Sequence, residues 1–486
     1  MKLKQIIQNL PAASCKGSLD VEIGAICSDS RKVVPGSLFI AVRGFQSDGH
    51  SYIGKAIESG AVAVICEEIP EGVNAPGVSF VRVENSRLAV ALAADSFYGH
   101  PSGKLSLVGI TGTNGKTTTV TLLYNLFRKL GYACGLLSTI ANYVDGEREE
   151  TQNTTVDPIT LNELLSRMVS RGCQYCFMEV SSIGVEQDRV SGLSFAMGIF
   201  SNLTHDHLDY HKTFAEYLRC KKLFFDKLGA DAIALINSDD RNGDVMVQNT
   251  RAKIVRYSVK GLADHTARIL EQSFDGMLLE IDGTQTWCRL IGEHNAYNLL
   301  AIYSAAVCLG AGKEETLLAL SSLESAPGRL ENLQGPRDIS VVIDYAHTPD
   351  ALENVLKTLR AIAPSRPLIC LFGCGGDRDR SKRPEMAAVA QRLADRLVIT
   401  SDNPRTEQAE AIIEEIRAGL DSRGAARSLV ITDRREALRT AILTAPAHAT
   451  VLVAGKGHET YQIIGHEKFP FDEKAIVKEC FKQLDV

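Results

Sequence analysis

The sequence predicts an α/β protein of three domains, and three observations carry that expectation. At 486 residues the chain is about three times an ordinary domain. Near residue 105 an apolar strand pattern runs through a glycine-rich turn into a helical pattern. Beyond residue 340, five apolar strand patterns alternate with helical ones.

Up to Tyr98, short apolar strands at 37–42, 61–66 and 78–83 surround one helical stretch, which makes residues 1–98 a small α/β domain. The cluster Gly99-His100-Pro101-Ser102-Gly103 then reads as a linker. The strand at 105–110 and helix at 116–130 form the opening βα unit of a nucleotide-binding sheet. Strands at 133–138, 176–180, 197–202 and 232–237 extend it into a mostly parallel sheet, so residues 99–326 form a central P-loop domain. Ala326-Pro327-Gly328 marks a second break. Strands at 340–344, 368–372, 396–400, 429–432 and 451–454, with helices such as 350–362 and 434–443 between them, make residues 327–486 a Rossmann-like, doubly wound domain. Such a sheet takes its ligands at the carboxyl ends of its strands.

Composition narrows the function. A hydrophobic share of 45% with 23% charged residues is that of a soluble globular chain rather than a disordered one. The longest apolar runs, at 61–66 and 451–454, are far too short to cross a bilayer. A net charge of -6 gives no reason to expect a nucleic-acid partner, whose phosphates favour a basic face. Met1-Lys2-Leu3-Lys4-Gln5 leads into no apolar export region, so a cytoplasmic location and no membrane partner are expected. The 12 cysteines are scattered through apolar runs as buried thiols of a reducing compartment. Cys173 and Cys176 form a CxxC without a second pair to complete a zinc site, which makes them structural.

Between the central strand and its helix lies Thr111-Gly112-Thr113-Asn114-Gly115-Lys116-Thr117-Thr118. Small residues there let backbone N–H groups close on phosphate oxygens, Lys116 can neutralise the β- and γ-phosphates, and Thr117 can ligate Mg²⁺. The loop departs from the general P-loop pattern because Ile110 stands at the first glycine position. Its wording resembles that of the Mur ligase superfamily, which includes the folylpolyglutamate synthetases, and the resemblance runs through all three domains. It implies an ATP-dependent amide-bond ligase working through an acyl phosphate with two Mg²⁺ ions.

The resemblance assigns further residues. Glu179 matches a Mg²⁺ ligand at a strand end near the loop. In Asn202-Leu203-Thr204-His205-Asp206-His207-Leu208-Asp209 the match puts His207 near Mg²⁺ and leaves His205 and His211 structural. Lys221, in Tyr217-Leu218-Arg219-Cys220-Lys221-Lys222, matches a carbamylated lysine, an N6-carboxylysine that presents a carboxylate to the second metal ion. With the loop residues Gly112, Thr113, Asn114, Gly115, Lys116, Thr117 and Thr118, Asn295, Arg329 and Asp344 match residues that hold adenine, phosphate and ribose.

The residues ahead of the ATPase separate this chain from the folylpolyglutamate branch. Ser28, Ser30, Phe45, Gln46 and Ser47 resemble the uridine-nucleotide segments of the Mur ligase that adds the third amino acid. Asn153, Thr154, Thr155, Ser181, Gln187 and Arg189 match positions holding its UDP-N-acetylmuramoyl-L-alanyl-D-glutamate. In the C-terminal domain Asp402-Asn403-Pro404-Arg405, with Arg378, Gly455 and Glu459, implies meso-2,6-diaminopimelate as the incoming amine, because the Arg405 fork suits a carboxylate that lysine lacks. The expectation is a monomer. L-lysine as acceptor, a zinc-dependent hydrolase built on His205, His207 and His211, and a non-catalytic nucleotide-binding protein are the alternatives.

Overall fold

The computed structural model describes residues 1–44, 47–69, 75–151, 153–204, 208–325 and 327–484. Among these the strands form sheets of five, eleven, six and two. In the first, Ala12–Lys16 lies antiparallel to Ser79–Val83, and Ala61–Cys66, Ser37–Ile40 and Ala25–Cys27 follow in parallel. Helices Leu3–Ile6 and Ser86–Phe97 pack on one face of this sheet and Ile53–Glu58 on the other. The sequence pattern had suggested one helical stretch and three strands. The short helices and the strands Ala12–Lys16 and Ala25–Cys27 carry too few apolar residues to register as periodic runs.

The central sheet is parallel where it is buried. Its phosphate-loop strand, Ser106–Thr111, lies between Met197–Phe200 and Tyr175–Glu179, both parallel to it. Lys116–Lys129 and Glu293–Cys308 cover one face, and Pro158–Ser170 and Phe214–Asp226 the other. At the edges the sheet turns antiparallel, through His265–Ser273, Gly276–Ile281 and Thr284–Cys288 on one side and Asn142–Val144 and Glu147–Glu149 on the other. These edge strands went unread in the sequence. A strand with one face in water lacks the continuous apolar run of a core strand: in Thr284–Cys288 the buried side chains are Thr286 and Cys288, while Trp287 is exposed on the other face.

The C-terminal sheet runs Glu331–Gln334, Ser340–Asp344, Thr450–Ala454, Leu368–Phe372, Arg396–Ile399, Ser428–Val430, parallel except for the first strand. Helices Pro349–Ile362, Lys382–Leu393 and Ala409–Arg417 cover one face; Arg434–Leu443 and Glu473–Leu484 cover the other. A separate hairpin, Tyr461–Ile464 with Glu467–Pro470, leans on Arg405 through a bridge to Ile464.

On the second face a buried ion pair joins the two helices. Arg434 Nε donates to Glu473 Oε1 at 2.7 Å, with side-chain exposures of 0% and 1%. The same guanidinium donates to the carbonyls of Ala454 (2.9 Å) and Ser401 (3.3 Å), so it also fixes two strand ends. Removing one member strands the other charge in a dry interior, which costs about 3–5 kcal/mol. Arg434→Met is therefore expected to lower the unfolding free energy from urea titration by that order, with the midpoint falling accordingly, and Arg434→Met with Glu473→Leu to recover much of it; an unchanged midpoint for the single variant would contradict this account.

Candidate active site

The phosphate loop is held by close backbone packing. Gly112 (φ +151°) and Gly115 (φ +88°) lie where a Cβ would stand 2.0 Å from Ser201 Oγ and 2.6 Å from Asn298 Oδ1, so a larger residue at either position must displace that side chain and hold a strained φ. Thr113 N donates to Asn202 O (2.8 Å), Asn114 N to Asn202 Oδ1 (2.9 Å), and Ser201 Oγ to Asn114 O (2.7 Å). Lys116 arches back, its Nζ donating to the carbonyls of Gly112 (2.8 Å) and Thr113 (2.7 Å). From beneath, the buried Lys221 Nζ reaches the same Gly112 carbonyl at 2.8 Å and sits 4.7 Å from the Tyr217 ring centroid. Thr117 and Thr118 are buried in the first turn of the helix.

Strand register brings Glu179 beside Ile110, one residue ahead of the loop. Its side chain is 1% exposed and its Oε1 accepts from Thr139 N at 2.8 Å. Glu179 and Thr117 are hard oxygen donors, and a carboxylated Lys221 would be a third, a set that fits Mg²⁺. His207 and His205 lie outside the described residues. His211 is buried with Nε2 2.8 Å from Ser182 Oγ. Among the described residues no group of three or more His, Cys, Asp or Glu is placed to hold a metal ion.

A cleft of about 650 Å³ between the central and C-terminal sheets brings Asn114, Gly115 and Thr118 together with Asn295, Arg329 and Asp344. Asn295 Nδ2 donates to Ile291 O (2.8 Å) and its Oδ1 accepts from Asn298 (3.0 Å). Asp344 accepts from the N–H groups of Leu330 and Ala346, both at 2.7 Å. Burial pushes its carboxyl above the usual range, and the Arg329 charge opposes that rise. The Arg329 guanidinium lies 4.8 Å from the Tyr345 ring centroid, and its Nε is buried without a hydrogen-bond acceptor among the described residues. Such a donor fits a ligand oxygen.

Asp350 lines the same cleft and was missed in the sequence, where an acid after Pro349 reads only as a helix start. Its Oδ2 accepts from Asn114 Nδ2 (3.0 Å) and Thr204 Oγ1 (3.2 Å), tying the first turn of the C-terminal helix Pro349–Ile362 to the phosphate loop. Burial pushes this carboxyl up as well.

Beside Glu179 a second set of expected residues assembles. Thr155 Oγ1 donates to Glu179 O (3.0 Å), Thr139 Oγ1 to Thr154 Oγ1 (3.1 Å), and Ser181 Oγ caps the helix Ser182–Glu186 by accepting from Gly184 N (3.0 Å). Arg189 Nη1 donates to Thr155 O (2.5 Å) and Nη2 to Gln187 Oε1 (2.8 Å). Asn153 is exposed nearby in sequence, its carbonyl accepting from Thr151 Oγ1. In the N-terminal domain the segments carrying Ser28, Ser30 and Ser47 leave the same end of the parallel pair Ala25–Cys27 and Ser37–Ile40. Phe45 and Gln46 lie outside the described residues.

The third cluster sits at the carboxyl ends of three C-terminal strands. Asn403 Nδ2 donates to Glu459 Oε2 at 2.9 Å, and Arg405 Nη1 to Gly376 O at 2.7 Å. A Cβ on Gly375 would meet Arg405 Nη1 at 2.9 Å and Arg378 Cγ at 3.8 Å, so both arginines pass the same glycine. Arg405 holds a left-handed φ of 51°, and Arg378 is exposed. Asp402 and Pro404 are buried beneath them, and a Cβ on Gly455 would stand 3.2 Å from Asp402 Oδ2.

Gly115→Ala puts a methyl into Asn298 at a left-handed φ, a strain of about 1–3 kcal/mol. Calorimetry should find nucleotide binding weakened by about 5- to 150-fold, while an unaltered affinity would show that the loop has room to give.

Comparison with known proteins identifies the family. The Mur ligase family's catalytic domain matches residues 22–98, its middle domain 110–306, and its glutamate ligase domain 328–457. The UDP-N-acetylmuramoyl-L-alanyl-D-glutamate--2,6-diaminopimelate ligase of Cytophaga hutchinsonii is 52% identical over 484 residues, 100% of each chain. The protein of that name from Bacteroides fragilis is 50% identical over 482 residues, 99% of each chain. A solved structure of a ligase with this name superposes at a TM-score of 0.71 with 31% identity, covering 100% of this chain and 99% of the other. Folylpolyglutamate synthase of Mycobacterium tuberculosis shares the fold at a TM-score of 0.60 and 19% identity, covering 76% of this chain and 92% of that one. With half its residues shared end to end and all three domains matched in order, the chain belongs to the Mur ligase family and is an ATP-dependent ligase.

Proposed function

We propose that this ligase joins meso-2,6-diaminopimelate to UDP-N-acetylmuramoyl-L-alanyl-D-glutamate in peptidoglycan precursor synthesis, converting ATP to ADP and phosphate. The observation that carries the reading is the full-length similarity, at about half identity, to proteins named for that reaction. The site chemistry is consistent with it. A carboxylate does not condense with an amine in water, so the γ-carboxylate of the D-glutamate first attacks the γ-phosphorus of ATP, releasing ADP and leaving an acyl phosphate. The diaminopimelate amine then attacks the acyl carbon, and phosphate leaves with the bonding electrons.

Each cluster has a part in this. Lys116 and the loop N–H groups carry the phosphate charge as it moves. Thr117, Glu179 and a carboxylated Lys221, with His207, would hold Mg²⁺, two ions in this reading, which neutralise the phosphate oxygens when bound. Asn295, Arg329 and Asp344 take the adenosine end. Thr154, Thr155, Ser181, Gln187 and Arg189, with Asn153, offer hydroxyls, amides and a guanidinium to the dipeptide, and Ser28, Ser30, Phe45, Gln46 and Ser47 take the uridine diphosphate. Arg378, Asp402, Asn403, Pro404, Arg405, Gly455 and Glu459 receive the amino acid, Arg405 facing the carboxylate that lysine lacks. No helix among the described residues is long and apolar enough to cross a membrane, and we place the reaction in the cytoplasm, on a monomer.

The test is ADP release with the muramoyl dipeptide and Mg-ATP, comparing diaminopimelate with L-lysine. Wild type should turn over with diaminopimelate, and Arg405→Ala should lose about 30-fold or more in kcat/KM for it, the loss of a charge-paired hydrogen bond. Equal turnover with lysine would sink the acceptor assignment; ADP release that ignores the dipeptide would sink the other substrate.

A further inference from the structure

We infer that Lys456, which contributes no group to the cleft surface, is a positioning residue that fixes the hydrogen-bonding polarity of Asn403 and the orientation of Glu459 in the amine-acceptor site. This inference rests on the proposed function. In the sequence Gly455-Lys456-Gly457-His458-Glu459 can be read as a second phosphate loop, with its lysine reaching for an anion. The structure turns that lysine inward. Lys456 has a side-chain exposure of 0%, and its ammonium is satisfied within the protein. Nζ donates to Asn403 Oδ1 (2.8 Å) and to the carbonyl of Tyr461 (2.8 Å), and it lies 3.3 Å from Asp402 Oδ1 and 3.4 Å from Glu459 Oε2. Its three N–H groups match three acceptors, Asn403 Oδ1, Tyr461 O and Glu459 Oε2, with Asp402 Oδ1 beside them as an ion-pair contact, so none is left for a ligand.

The consequence falls on Asn403. Its Oδ1 also accepts from Ile463 N at 2.9 Å, which uses both lone pairs. The amide cannot flip without facing its NH₂ group to an ammonium and a backbone N–H. Nδ2 is therefore the outward atom, with one N–H on Glu459 Oε2 and the second available to a ligand oxygen. Glu459 is held through that one oxygen by Asn403 and Lys456 together, which leaves Oε1 to take an ammonium. Two buried cations, Lys456 and Arg434, face three carboxylates, Asp402, Glu459 and Glu473, which leaves the cluster with acceptor capacity that a zwitterion's ammonium would use. The site thus presents a donor and an acceptor in fixed order, as an α-amino acid centre requires. The hairpin Tyr461–Ile464 supplies the two backbone groups that complete this arrangement.

The experiment is steady-state kinetics of Lys456→Met, a near-isosteric change that removes the charge and every N–H. KM for diaminopimelate should rise about tenfold or more, with KM for ATP and for the muramoyl dipeptide unchanged and kcat altered less than threefold. A purely structural role would move all three KM values together, and that outcome, like an unchanged KM for diaminopimelate, overturns the inference. Should Lys456→Met fail to fold, Asn403→Asp tests the same point. It keeps the acceptor facing Lys456 but replaces the donor facing Glu459 with a second carboxylate, and it should raise the same KM selectively; an unaltered KM overturns the inference. Failure of the wild type to use diaminopimelate would sink the proposed acceptor instead, so the two failures are distinct.

Discussion

The carbonyl of Gly112 accepts hydrogen bonds from both Lys116 and Lys221, and the arrangement of the centre depends on that convergence. It requires a strand that delivers the loop to the middle of a parallel sheet, and Ser106–Thr111 does so. It requires the loop backbone to lie close against neighbouring side chains, which Gly112 and Gly115 allow against Ser201 Oγ and Asn298 Oδ1. It also requires a lysine to be buried beneath the loop. Helix Phe214–Asp226 accomplishes this by laying Lys221 across Tyr217, where the ring face and a carbonyl replace water around the unmodified ammonium, and the one N–H that a carboxylated Lys221 keeps can still donate to that carbonyl.

The acid groups follow from register rather than from loop conformation. Because Tyr175–Glu179 pairs in parallel with the phosphate strand, Glu179 emerges beside the loop, and Thr155 and Ser181 are gathered around it by short hydrogen bonds. A parallel sheet puts all its strand ends on one side, so chemistry from distant parts of the sequence accumulates there. The C-terminal sheet repeats the device. Gly375, Asp402 and Gly455 each follow a different strand, and their loops meet around Arg405 and Glu459.

Legibility in the sequence followed the same physics. Core parallel strands are apolar throughout, so Leu107, Val108 and Ile110 announced the central strand, and the glycines and Lys116 announced the turn after it. The meander from 265 to 288 mixes polar and apolar residues with neither a long apolar run nor a regular alternation and was silent. Asp350 and Lys456 were silent for another reason. An acid after a proline and a lysine between glycines have ordinary local explanations, and their partners, Asn114 and Asn403, lie 236 and 53 residues away. Long-range pairing of polar groups leaves no periodic trace. The assignment of Ser28, Ser30 and Ser47 rests on resemblance alone, since nothing in their local pattern sets these turns apart from others.

The contact of Asp350 with Asn114 also bears on how the two sheets cooperate. A carboxyl that burial pushes up and that accepts from Asn114 and Thr204 belongs to the C-terminal helix, yet its partners belong to the phosphate loop and the segment beside it. Any rotation of the C-terminal domain away from the central sheet must break both bonds and hydrate the carboxylate. Any shift of the loop by a phosphate is felt at the same atom. The first turn of Pro349–Ile362 and the strand end bearing Asp344 lie five to six residues apart in one segment, so one short stretch of chain carries both the grip on the nucleotide cleft and the contact to the loop. The carboxylate of Asp350 thus ties the first turn of Pro349–Ile362 to the phosphate loop, so that a displacement of either is felt by the other.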